Sequence, residues 1–344
     1  MNKTLKFYIF YILIFIFIIL VILLSEIGLR LLGYKPFVPY PKKPFEPVMH
    51  QIDPDTGIIN KAGIYEYSTT PEGEKIKITI LSDSSRSSEN VDKVDLNKKI
   101  YFFGCSIGFG WAVDDKYVAS NVIAKYTPYE SVNLSVGGLG SYEALLLLKR
   151  AAKKWAYNNK PKAIIYQAAT HHANRNVMDP LWVHIKDNMN KLINANGQPY
   201  IRLDSKGNIK EFRHKKRFIF PLREYSALMA LLEEAYLNVK YGITFEEARE
   251  INLKVISEMN NVAKKFEIPF FVVFVYSTDI EYYQTAFSQL NIKSFDCNHQ
   301  KYNSGDPNFK VPVDNHPNAS VHEYYAKCII KNLGLELLNT EDKQ

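Results

Sequence analysis

Residues 99–110 read KIYFFGCSIGFG, and the fold follows from how that stretch is parsed. KIYFF is a short apolar run closed by glycine, which predicts a buried strand rather than a helix. Gly104, Ser106 and Gly108 then form a G-x-S-x-G pattern at the strand's end. Glycines on either side of a serine allow the backbone to turn sharply from strand to helix and expose the hydroxyl. Outward from there, residues 117–126 have helical periodicity and 131–136 (SVNLSV) predict a second strand ending in the turn GGLG. Residues 141–158 predict a helix with Ser141 as N-cap. Residues 163–169 (AIIYQAA) predict a third buried strand, ending at Thr170-His171-His172. Strands apolar throughout and alternating with helices indicate a parallel sheet covered on both faces.

The pattern continues with helices over 224–240 and 245–266, a strand over 268–276 and a helix over 281–290. A polar loop over 298–315 and a last helix over 318–333 complete it. Between them, residues 179–218 break the rhythm. PYIRLDSKGNIKEF reads as a β-hairpin turning at residues 205–208, and the region is expected to be an insertion or lid. No internal repeat is present.

The N-terminus is of another kind. Residues 7–24 (FYIFYILIFIFIILVILL) are apolar without a charge. As a helix they extend ~27 Å, close to the ~30 Å thickness of a bilayer's hydrocarbon. The SEIGLRLLGY that follows offers no A-x-A-like cleavage site, which favours an uncleaved anchor over a signal peptide. Lys3 and Lys6 precede the run and Arg30, Lys35, Lys42 and Lys43 follow it, so the positive-inside count leaves orientation undecided. A short N-terminus before a single span behaves as a signal anchor, which places the bulk of the chain outside the cytoplasm. Residues 25–34 are expected to carry the helix into the interface. Five prolines within residues 35–47 then predict a stiff linker, and short strands within 49–97 predict a β-rich extension. The expected organisation is therefore an anchor over 1–34, a linker and extension over 35–97, and a main domain over 98–337 with the insertion near 179–218.

The net charge of +7 comes without a basic tract interleaved with aromatics, so nucleic acid is not an expected partner. Cys105, Cys297 and Cys328 lack metal-ligand spacing; buried free thiols are expected, with a Cys297–Cys328 bridge as the alternative. His50, His184, His214 and His299 show no metal spacing, and neither metal nor cofactor is expected. His322 reads as a packing or surface residue, and Lys215-Lys216-Arg217 as a solvated face.

Chemistry concentrates at three strand ends and one loop. Ser106, Gly138 and His171 each follow a predicted parallel strand, where open α/β sheets bind ligands. Asp314-Asn315-His316-Pro317, just before the last helix, can deliver a carboxylate and an imidazole to the same cleft. Taken together and in this order, these blocks resemble the SGNH/GDSL hydrolase superfamily. Gly104-Cys105-Ser106 matches its G-D-S block, the Asn133-led strand ending at Gly137-Gly138 its second block, and Asp314-Asn315-His316-Pro317-Asn318 its D-x-H-P-N block. The similarity covers residues 99–333; the anchor and linker also look like membrane-anchored members.

The resemblance implies a flavodoxin-like parallel sheet sandwiched by helices. It implies Ser106 as nucleophile, His316 as general base and Asp314 as its orienting acid. The Ser106 and Gly138 N–H groups become oxyanion donors. Two positions depart from the family pattern. Cys105 replaces the usual Asp, and His171 falls where G-x-N-D places an Asn, leaving either His171 or Asn174 as third donor. The implied function is a membrane-anchored extracytoplasmic serine esterase acting on ester groups, foremost O-acetyl, of an acylated carbohydrate or lipid. The alternatives are an O-acyltransferase using the same triad, or a catalytically silent carbohydrate-binding or scaffold module. The ordinary α/β-hydrolase arrangement fits less well, because it separates acid from histidine and places serine later in the chain.

Overall fold

The computed structural model describes residues 3–39, 49–69, 73, 75–88, 98–155, 160–188, 197–215 and 217–341. Residues 40–47 of the proline-rich linker lie outside them. The contacts divide the chain into two compact units. One comprises Met1–Lys43, Asp179–Asn188 and Lys216–Gly242; the other comprises Pro44–Met178, Met189–Lys215 and Ile243–Gln344.

The larger unit is built on a parallel sheet of β5 (Lys99–Phe103), β6 (Glu130–Asn133), β7 (Ala163–Ala169), β10 (Phe270–Tyr276) and β11 (Lys293–Asp296). Its order is β11-β10-β7-β5-β6, every neighbouring pair parallel. Counted from the first strand of this sheet the order is 2-1-3-4-5, the flavodoxin-like arrangement, whose switch point lies between β5 and β7. Side chains alternate between two cores. Phe103, Ile164, Tyr166, Val272 and Phe274 pack with α4 (Ser141–Ala152) and α8 (Phe245–Lys265). Phe102, Ile165, Phe271 and Val273 pack with α3 (Ala119–Tyr126) and α11 (Ala319–Glu341). Burial on both faces is why β7 and β10 read as apolar runs, interrupted only by Gln167.

Several boundaries differ from the sequence reading. The second strand stops at Asn133, because Leu134 to Gly140 turn away in a loop. The helix from Ser141 ends at Ala152 rather than 158. Its N-cap is Gly140, whose N–H donates to Glu143 at 2.9 Å. Ser141 instead donates to Asn252 Oδ1 at 2.5 Å and accepts from Asn176 Nδ2. The sequence reading lacks the four-residue edge strand β11, α5 (His171–Asn176) directly after β7, α6 (Pro180–Asn188) in the insertion and α10 (Gln300–Asn303) in the polar loop. The hairpin β8–β9 (Gln198–Leu203 and Ile209–His214) turns where the sequence placed it.

The cysteine expectation needs correction. Cys297 and Cys328 are joined by a disulfide, and only Cys105 is free. Cys297 follows β11 and Cys328 lies on α11, so the bond ties the edge strand to the helix that covers it. Sequence separation of 31 residues gave no spacing signal.

The β-rich extension forms two hairpins, β1–β2 (His50–Asp53 and Gly57–Asn60) and β3–β4 (Gly63–Tyr67 and Ile76–Ile80). The second is joined to the main sheet through Arg86, which bridges both Ile80 and Asn133. The Arg86 side chain is 1% exposed. It pairs with Asp115 at 2.9 Å and donates to the carbonyls of Phe109, Gly110 and Val113 at 3.0, 2.5 and 2.5 Å. A guanidinium so deep is tolerable only because its donors are matched in this way.

Two predictions follow from this packing. Arg86→Met is expected to lower unfolding free energy by ~3–5 kcal/mol in urea titration, because Asp115 is left buried and unpaired. Reducing the Cys297–Cys328 bond is expected to cost ~2–4 kcal/mol, read as a lower urea midpoint in dithiothreitol for the wild type and no change for Cys297→Ser.

Candidate active site

The serine turn is shaped by close approach. Cys105 is the N-cap of the short helix α2 (Ser106–Phe109), and Gly110 closes it in the left-handed region at φ 76°. A Cβ on Gly108 would stand 2.4 Å from Gln167 Oε1 and 2.8 Å from Ser135 Oγ. Only glycine lets α2 sit this tightly on the ends of the strands. Asn133 holds the same helix from the other side, donating to Gly108 O at 2.9 Å and to Ser120 Oγ at 3.1 Å. The second glycine of G-x-S-x-G is thus a packing requirement.

The second contribution comes from the loop before α11. Val311 N–H donates to His316 O at 2.8 Å, and Asn315 N–H to Val311 O at 2.9 Å. Val313 and Asn315 have φ of 65° and 68°, uncommon for any residue with a Cβ and more so for a β-branched one. The strained loop folds Asp314 and His316 onto each other, so His316 Nδ1 lies in hydrogen-bond contact with Asp314 Oδ1. On the far side of the ring, His316 Nε2 is 2.8 Å from Ser106 Oγ. The Asp314 carboxylate can only accept, which puts a proton on Nδ1 and leaves Nε2 to accept from the serine hydroxyl. Ser106 is 8% exposed and the His316 side chain 28%, so the serine is covered while the imidazole borders solvent.

Around this trio stand residues the sequence did not single out. Trp111 lies with its ring 6.3 Å from His316. Tyr67, on β3, is pushed up by burial and further by the Asp314 carboxylate, and so stays protonated. Tyr302 is raised for the same reasons, burial first, and its hydroxyl reaches Asn315 O at 3.4 Å. None carried a motif; each arrives by tertiary contact.

The expected oxyanion donors are spread over three strand ends. Ser106 is the first residue of α2, whose opening N–H groups have no partner within the helix. Gly138 occupies a left-handed turn at φ 81° after β6. His171 and Asn174 both lie on α5, half buried. His171 Nε2 faces Cys105 Sγ at 3.4 Å, so any donation to substrate falls to its Nδ1. Burial, then Arg175, His172 and His316, hold its pKa well below the ordinary value, so the ring is neutral.

Cys105, His171 and His172 form the one cluster among the described residues with metal-ligating atoms within 4.8 Å of one another, a grouping not foreseen from spacing. Its chemistry fits a cation poorly. His172 Nδ1 accepts from the Tyr166 hydroxyl at 2.5 Å, and the Arg175 guanidinium stands beside the Cys105 sulfur. His322 packs on α11, 1% exposed, with Nδ1 accepting from Ala119 N–H at 3.4 Å.

Burial, with Arg86 and His316 adding to it, takes His322 down to about 3; burial and Arg175 take His172 well below its ordinary value. Folded pKa values thus lie under the unfolded ~6.5. The stabilisation they contribute is present above pH ~6.5 and is lost as pH falls, by up to ~1.4 kcal/mol per pH unit for each histidine. The urea midpoint is therefore expected to drop between pH 7.5 and pH 5; equal midpoints would contradict buried neutral histidines.

No family model matches the chain, and no curated protein matches it. Solved structures similar to it include TesA, at 12% identity over 69% of this chain and 98% of that one, TM-score 0.40. The psychrotrophic esterase EstA from Pseudoalteromonas sp. shares 10% identity over 69% and 99%, TM-score 0.38. The acetyl xylan esterase Est2A from the rumen bacterium Butyrivibrio proteoclasticus shares 12% over 77% and 67%, TM-score 0.40. At such distances the reading of fold and site rests on this chain's own strand order and geometry.

Proposed function

We propose that the chain is a membrane-anchored serine esterase that cleaves O-acyl groups, foremost O-acetyl, from an extracytoplasmic glycan or lipid. The observation that carries the reading is the continuous relay from Ser106 Oγ to His316 Nε2 at 2.8 Å, and from His316 Nδ1 to Asp314. An isolated serine hydroxyl is a weak nucleophile; a hydrogen-bonded base activates it. His316 takes the Ser106 proton as Oγ attacks the ester carbonyl, and Asp314 stabilises the imidazolium that forms. The carbonyl oxygen becomes an oxyanion, received by the N–H groups of Ser106 and Gly138, with His171 Nδ1 or Asn174 as the third donor. His316 then protonates the departing alcohol and afterwards draws a proton from water, which releases the acid and regenerates Ser106.

Two features support an extracytoplasmic setting. Helix α1 (Lys3–Leu31) contains a span, Thr4–Leu31, long and apolar enough to cross a membrane. The Cys297–Cys328 disulfide belongs to an oxidising compartment rather than a reducing cytosol. Acyl transfer to a sugar hydroxyl would use the same relay, with the acceptor replacing water.

Full-length protein in detergent is expected to be labelled by a fluorophosphonate probe and to hydrolyse p-nitrophenyl acetate. Ser106→Ala should abolish labelling. Asp314→Asn should lower kcat on the order of 10²–10⁴-fold while the fold persists. A well-folded wild type that neither labels nor hydrolyses would leave only the silent binding module.

A further inference from the structure

The smaller unit contains a helix that is apolar on its open face and carries a buried ion pair on its covered one. Helix α7 (Ala227–Tyr241) buries Ala227, Glu233, Leu237 and Tyr241. On that buried face the Glu233 carboxylate, 1% exposed, pairs with Arg217 at 2.7 Å and Arg223 at 2.8 Å, so the Arg217 side chain is buried rather than part of the solvated face expected for it. The opposite face is apolar and open: Leu231 is 37% exposed, Leu232 47%, Tyr236 38% and Val239 90%. At 100° per residue Leu232, Tyr236 and Val239 fall within about 60° of one another, and Leu231 lies about 80° to one side. A helix of a water-soluble unit normally turns a polar face outward. The turn leading into α7 continues the stripe, with Leu222 66% and Tyr225 75% exposed.

The same unit fixes where this face stands relative to helix α1. Glu26 accepts from Ser226 Oγ at 2.8 Å, from Ala227 N–H at 3.0 Å and from Leu228 N–H at 2.9 Å. The carboxylate thereby caps the first turn of α7. Arg30 is paired with Glu26 and donates to Tyr225 O at 2.7 Å. Glu26 is two residues beyond Leu24, the last of the uninterrupted apolar run, or ~3 Å of helical rise. The start of α7 is therefore tied to the level at which α1 leaves the hydrocarbon. Exposed tyrosines at that level fit the amphipathic boundary of a bilayer.

We infer that the outward face of α7, together with the turn bearing Leu222 and Tyr225, lies in the headgroup–acyl interface of the bilayer that α1 crosses. This makes a second, monotopic membrane contact beside the span. The inference rests on reading α1 as a membrane span. The bilayer is the occupant because the Glu26 and Arg30 bonds hold the apolar face at the exit of that span. The two arginines behind α7 and their carboxylate then hold the helix from its protein side.

The test uses full-length protein in phosphatidylcholine–phosphatidylglycerol nanodiscs. Single variants Leu222→Cys, Leu232→Cys, Glu234→Cys and Phe15→Cys carry an environment-sensitive fluorophore. Cys105 is buried and Cys297 and Cys328 are bonded, so the introduced thiol alone reacts. Doxyl-labelled lipid is the quencher. The probes at 222 and 232 are expected to lose most of their emission to a doxyl group high on the acyl chain, matching burial ~5–10 Å into the boundary. The probe at 234 should remain in water. Water-exposed probes at 222 and 232 with a quenched probe at 15 would overturn the inference and leave the span standing. Probes at 222 and 232 shielded from water yet immune to the lipid quencher would overturn it in favour of a protein partner or a second copy. A probe at 15 that escapes quenching would refute the span itself, and the inference with it.

Discussion

Arg86 joins the β-rich extension, the main sheet and the segment that carries Ser106. Its backbone bridges β4 to β6, and its guanidinium gathers the carbonyls of Phe109, Gly110 and Val113 around a buried pair with Asp115. Those carbonyls belong to the chain that leaves the serine helix. A four-residue helix cannot hold itself, since nucleation costs more than one turn returns. α2 is held from outside, by Arg86 at its exit, Asn133 at its flank and the strand ends beneath Gly108. The serine's position is thus a property of the sheet and of the β-rich extension together. Residues 76–88, which carry no catalytic chemistry, are as necessary to the turn as G-x-S-x-G itself.

How far the sequence discloses this depends on distance along the chain. β7 and β10 are legible because both faces are buried, so nearly every residue is apolar, Gln167 being the exception. β11 is not, because KSFD sits at an edge with its residues exposed or half-buried. The serine turn and the Asp314–His316 pair were legible because each is local: two residues separate acid from base, and the strained loop at Val313 and Asn315 does the joining. Arg86–Asp115 is 29 residues apart in sequence and has no pattern to betray it. Trp111, Tyr67 and Tyr302 belong to the same class; they reach His316 or Asp314 only through the fold. Three cysteines without a spacing pattern do not disclose the Cys297–Cys328 bond, whose proximity follows from α11 lying over the edge strand. Likewise α7 was legible as a helix, but its periodicity did not say which side faces protein. That needed Glu233 and its two arginines.

The two departures from the SGNH pattern, at 105 and 171, are best read together. In the structure they are partners, with Sγ and Nε2 3.4 Å apart. A neutral imidazole carries one N–H, and the nitrogen bearing it is set by what the other contacts. A thiol can donate to Nε2 or accept from it, so this contact alone does not choose the tautomer. Burial and the Arg175 charge keep that ring neutral, which removes the one state in which both nitrogens would donate. An aspartate at 105 would accept from the imidazole instead and move the proton to Nε2, toward the carboxylate. Cysteine at 105 therefore leaves both neutral tautomers open to His171, including the one that offers Nδ1–H, where an aspartate would hold the ring to the other; the two departures are one coupled change beside the Ser106–His316–Asp314 contacts.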